Sequence, residues 1–137
     1  MRRTILALLL AATSGAAAAD FGKWEMVDRT DAFVIYADTA TIRRLGEQVQ
    51  MWELSDARTD KALAMVRNAR SFKMEREYDC ARQQLRLLYV SWHSENMGEG
   101  AIVGSNSVPG PWQPVLAGTI GERLWKIACG LNQGRRF

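Results

Sequence analysis

The sequence predicts an α+β fold: a meander of about six antiparallel strands with a C-terminal helix packed on the sheet, tied by one disulfide. Three observations predict it. Short segments alternate apolar and polar residues with a period of two, and turn residues separate them. One segment near the C-terminus switches to helical spacing behind a capping box. The only two cysteines, Cys80 and Cys129, fall at the end of a strand pattern and at the end of that helix.

The elements follow in order. In Lys23–Arg29, Trp24, Met26 and Val27 are the inward positions of a first strand, and Asp28–Asp31 reads as a turn. Phe33–Ala37 (FVIYA) is β-branched and aromatic, which suits a buried strand. Thr39–Leu45 reads as one helical turn or a wide loop, closed by Gly46. Gln48–Ser55 places Val49, Met51 and Glu53 on one face and Gln50, Trp52 and Leu54 on the other. Asp56–Asn68 supports two readings. Ala62, Leu63, Met65 and Val66 suit a short helix, and a long hairpin loop running into a strand suits the segment equally.

The alternation is cleanest over Arg70–Cys80. Phe72, Met74, Tyr78 and Cys80 share one face, interrupted by Arg76, against Ser71, Lys73, Glu75, Glu77 and Asp79. Leu85–Trp92 is the next strand, and a turn at Ala81–Gln83 makes the two a hairpin. Arg82 and Arg86 then face the acidic side chains across the ladder. Met97–Gly100 (MGEG) is a turn, and Ala101–Ser105 a short strand. Ser107–Gly118 holds all three prolines, so it is expected as an ordered loop. Thr119 is the N-cap of the helix and Glu122 completes the capping box. Ile120, Leu124, Ile127 and Ala128 form its apolar stripe, and Gly130 suits the position after its end.

The N-terminus predicts export. Arg2 and Arg3 precede an apolar run from Ile5 to Ala12, and Ala17, Ala18 and Ala19 supply the small residues of a cleavage site. Residues 1–19 are therefore expected to be a signal peptide and residues 20–137 one domain. The run is too short to span a bilayer, which takes about 20 residues. No cysteine lies near the cleavage site, so a lipid anchor is not expected and the location implied is the periplasm or outside the cell. The pI near 9.1 owes much to the signal. Without Arg2 and Arg3, 16 basic residues face 15 acidic ones, a balance that argues against nucleic acid as a partner. An even cysteine count in an oxidising compartment predicts a Cys80–Cys129 disulfide, with two free thiols as the alternative.

Chemistry is scarce. His93 is the only histidine, so a multi-histidine metal centre is excluded, and His93 reads as a surface turn residue. No metal, cofactor or catalytic group is expected. Glu75, Glu77 and Asp79 could do acid–base work if burial split their pKa values. Their place on the polar face, opposite arginines, predicts a solvated ion-paired surface instead. Of the five tryptophans, Trp112 stands apart: it sits in the proline loop and is the candidate ligand contact.

Several blocks stand out in order along the chain: Trp24, Tyr36-Ala37-Asp38, Thr41-Ile42-Arg43, Val49-Gln50-Met51-Trp52 with Leu54 and Asp56, Ser71-Phe72-Lys73-Met74, Glu77-Tyr78-Asp79-Cys80, Met97-Gly98-Glu99-Gly100, Trp112-Gln113-Pro114-Val115 and Glu122 through Gly130. Together they resemble the surface-adhesin protein E-like family of proteobacteria. The resemblance implies an antiparallel sheet with a C-terminal helix and Cys80 bonded to Cys129. For the family's namesake it implies adhesion to host matrix and cell-surface proteins, and dimer formation. It implies no enzymatic activity. The function expected is that of an exported, non-enzymatic binding protein for host or envelope proteins, with a homodimer as one assembly. Arg43, Arg44, Arg58 and Arg67 are further candidate contacts. The alternative is a periplasmic structural or envelope-stress protein with no external ligand.

Overall fold

The computed structural model describes residues 23–66 and 68–131. The expected signal peptide and Arg67 lie outside them. The chain runs β1 (Glu25–Arg29), β2 (Phe33–Leu45), β3 (Gln48–Ala57), α1 (Asp60–Met65), β4 (Ser71–Asp79), β5 (Gln84–His93), a short turn of helix (Asn96–Gly98), β6 (Ile102–Asn106), β7 (Gln113–Pro114) and α2 (Ile120–Ala128). The strands form one antiparallel sheet in the order β1-β2-β3-β4-β5-β6, with β7 pairing beside β6 on the outer side of β5. This is the α+β meander expected from the alternation.

Two-residue periodicity sorts the side chains onto two faces. One face carries Ile35 and Ala37 of β2, Val49, Met51 and Glu53 of β3, and Met74, Arg76 and Tyr78 of β4. Helix α2 lies on it. Leu124, Trp125, Ala128 and Cys129 join Ile35, Ala37, Val49, Met51 and Tyr78 in the main core. Thr119 caps α2 by accepting from the Glu122 N–H, and the Glu122 carboxylate accepts from the Gly118 N–H. The Cys80–Cys129 disulfide joins the end of β4 to the end of α2, with Cα atoms 5.7 Å apart. Trp125 Nε1 donates to the Asp79 carbonyl beside it, at 3.2 Å.

Turn chemistry sets the hairpins. Gly46 has φ +68° between β2 and β3, a conformation in which a side chain is strained. Asp79 Oδ1 accepts from the N–H groups of Ala81 and Arg82 and shapes the β4–β5 turn.

The structure corrects four local expectations and decides a fifth. Met26, expected to point inward from the first strand, is exposed at the register shift, whereas Val27 packs against the core. Residues 39–45, read as a helical turn or loop, continue β2. Their ladder breaks between Asp38 and Arg43, where Ala40 N–H donates to Asp38 and the Thr41 hydroxyl accepts from Trp52 N–H, so a bulge hid the alternation. The proline loop contains the two-residue strand β7, whose pairing with Gln84 and Leu85 holds it to β5. His93, expected at a surface turn, ends β5 and is buried. The two readings of residues 56–68 resolve into the end of β3 and then α1, which Thr59 caps through Ala62 N–H.

Candidate binding surface

The two sheet edges differ. At the β1 edge, a register shift between Met26 and Asp28 and the charges of Glu25, Asp28 and Arg29 interrupt the strand. Arg123 of α2 further ties down Asp28, at 2.8 Å. These are the devices by which edge strands avoid pairing with other chains. At the opposite edge, β6 (IVGSN) has no charged residue, and Ile102 and Val103 are 60% and 54% exposed. Among the described residues nothing pairs with the outer side of β6.

Trp112 lies farther along this edge, just before β7. Its ring is covered on one side by the Arg86 guanidinium, 4.6 Å from the centroid. Arg86 in turn forks onto Glu77, with contacts of 2.6 and 2.9 Å, and Gln50 donates to the same carboxylate. Arg43 donates to Gln50 and closes the row across β2 to β5. Glu77 and Asp79 are therefore ion-paired, as expected from the arginines, whereas Glu75 of the same strand joins no ion pair among the described residues. The paired carboxylates are not solvated: Glu77 and Asp79 are buried, because the Arg86–Trp112 pair and the β4–β5 turn cover them. Hydrogen bonds from the Arg82 N–H above all hold Asp79 below the usual carboxylate range.

The other candidate arginines do not gather. Arg44 donates to the Cys129 carbonyl, and Arg58 to the Thr30 carbonyl. Arg67 lies outside the described residues. Buried His93 touches the Ser91 hydroxyl at 2.9 Å, and burial, then Lys73, pushes its pKa down. The MGEG block folds over this end of the sheet. Asp56 accepts from Met97 N–H, and Ser71 from Gly98 N–H. Gly98 has φ +72°, a left-handed backbone conformation in which a side chain is strained, which explains the glycine.

On the helix-covered face, alternation alone did not reveal a cleft of about 350 Å³ beside the first turn of α2. Ile35, Met74, Ile120 and Leu124 wall it, with Arg76 reaching in and Glu53 at its base. Glu53 is 0% exposed and accepts from the Tyr78 hydroxyl. Its second oxygen accepts no hydrogen bond; the nearest cation is Arg76 Nε at 3.5 Å. Burial raises the Glu53 pKa to about 7, with Arg76 opposing the rise. Glu53 shared a face with Val49 and Met51 in the sequence pattern, but its charge gave no sign of which partners it would meet.

Comparison with known proteins agrees with this fold. Comparison with curated protein sequences finds no significant match. Among solved structures, crystal form II of Haemophilus influenzae protein E superposes with a TM-score of 0.55 at 17% identity, covering 80% of this chain and 94% of that one. A second structure of Haemophilus influenzae protein E gives 0.53 at 18% identity, covering 81% and 92%. Protein E from the non-typeable organism gives 0.52 at 15% identity, covering 78% and 82%. At such identities the likeness speaks for the fold. The family model described as surface-adhesin protein E matches residues 24–130, nearly all of the described sheet and helix, and the chain belongs to that family.

Proposed function

We propose that this chain is an exported, non-enzymatic adhesin-like protein that captures a protein partner by adding a strand to the β6 edge. The observation that carries this reading is the contrast in charge between the edges. Both edge ladders contain a register shift, but the β1 side is charged and bridged to α2, whereas Ile102–Asn106 offers an uncharged strand with exposed β-branched side chains. Main-chain bonds to such an edge supply affinity, and alternate side chains supply selectivity. Trp112, held by Arg86 on the same side of β5, is the aromatic contact of this surface. Membership of the surface-adhesin family supports a protein partner. Residues 1–19 act as the cleaved signal, and the disulfide suits the oxidising space beyond the membrane. No helix among the described residues is long and apolar enough to cross a membrane.

The test is binding of the purified residue 20–137 form to immobilised extracellular-matrix proteins, with Val103→Lys as the edge variant. The expected result is saturable binding that Val103→Lys weakens at least about tenfold, a charge being the natural block on edge pairing. Binding that is unaffected by the lysine would overturn the edge as the site. Absence of binding, together with altered envelope sensitivity in a deletion strain, would favour a structural envelope role.

A further inference from the structure

The cleft under α2 has a different chemistry from the β6 edge. Its lining combines the apolar side chains of Ile35, Met74, Ile120 and Leu124 with a few polar groups, Glu53, Ser55, Arg76 and Thr119, the composition of small-ligand sites. The Arg76 guanidinium is under-satisfied there. Its Nε stands 3.5 Å from Glu53, beyond a good hydrogen bond, and its Nη2 donates only to the Met74 thioether at 3.6 Å. A thioether is a weak acceptor, and the one carboxylate paired with the guanidinium among the described residues, Glu53, stands too far off for a good hydrogen bond. The first-turn N–H groups of Ile120 and Gly121, which border the same cleft, have no acceptor within the helix. The site thus presents donors and positive charge between apolar walls, above Glu53.

We propose that this cleft binds a small amphipathic monocarboxylate, its carboxylate on the Arg76 fork and its apolar body between Ile35, Met74, Ile120 and Leu124. A carboxylate displaces the thioether from Nη2 and forms the bidentate pair for which guanidinium geometry is suited. The occupant's charge also acts on Glu53 beneath. From β4, Arg76 and Tyr78 face Glu53. β2 contributes only Ile35 and Ala37, and α2 adds no titratable side chain to the cleft. With Arg76 engaged by the ligand and a second anion nearby, the protonated form of Glu53 gains. Binding therefore takes up a proton wherever free Glu53 is ionised, and affinity falls as pH rises through about 7.

Calorimetric titration of the residue 20–137 form with octanoate and with octanamide tests this without any variant. Octanoate is expected to bind at least about tenfold more tightly than octanamide, more tightly at about pH 6 than about pH 8, and with proton uptake seen as a buffer-dependent heat. It is also expected to shift the Gly121 amide resonance. Folded Arg76→Met should lose at least about tenfold in octanoate affinity. Glu53→Gln should keep binding and lose the proton uptake. Equal affinity for acid and amide, no binding, or unchanged binding by folded Arg76→Met would each overturn the site. Octanoate binding with no proton uptake would overturn the coupling to Glu53.

Discussion

Replacing Glu53 with glutamine should remove a pH dependence of stability that the wild type carries. Glu53 is buried, and its pKa rises on folding from 4.5 to about 7. A carboxyl with a raised folded-state pKa holds its proton more tightly in the folded chain. Its stabilisation is complete below about pH 4.5 and disappears as pH rises through about 7. A rise of about 2.5 units at 1.36 kcal/mol each amounts to about 3 kcal/mol across that window. His93 works in the opposite direction: its pKa is lowered, so its contribution is present above about 6.5 and lost as pH falls. Asp79 and Glu122, both lowered, add stability that is lost only in more acidic solution. The Glu53 effect is isolated by the difference between wild type and Glu53→Gln, in which these other groups cancel. Glutamine keeps an acceptor for the Tyr78 hydroxyl. Urea unfolding with the disulfide intact, followed by tryptophan fluorescence from about pH 4.5 to pH 8, supplies that difference. The wild type should lose about 3 kcal/mol relative to the variant over this range. A flat difference would refute the argument that Glu53 is protonated by burial.

Three further outcomes follow from the packing. The double variant Cys80→Ala with Cys129→Ala, which opens a loop spanning 49 positions, should lose about 4 kcal/mol by urea unfolding. Thr119→Ala removes the acceptor for Glu122 N–H and should cost about 1 kcal/mol in the same assay. Arg86→Ala strips the buried Glu77 of its cation and uncovers one side of Trp112. It should destabilise by about 2 kcal/mol and shift tryptophan emission to longer wavelength.

Much of this molecule was legible from the order of its residues, because the signals were local. Alternation over Phe72–Tyr78, the Thr119–Glu122 capping box and the Ile120–Ala128 stripe each act within a few residues, and each element formed where it was read. The cysteine pair was legible because only two candidates existed. The β2 bulge was not legible, since Asp38 and Thr41 replace ladder bonds with side-chain bonds and so erase the period of two. Nor was the burial of Glu77 and His93, which depends on what folds over them. Only tertiary structure decided which edge of the sheet is tied to the helix, because Arg123 of α2 reaches Asp28 of β1 and no such pair joins α2 to β6 among the described residues. It alone set Glu53 beside Arg76 and Tyr78 under the start of a helix about 70 residues away in the chain. That meeting rests on the β3–β4 register and on where α2 docks, and a sequence pattern, which counts only near neighbours, records neither.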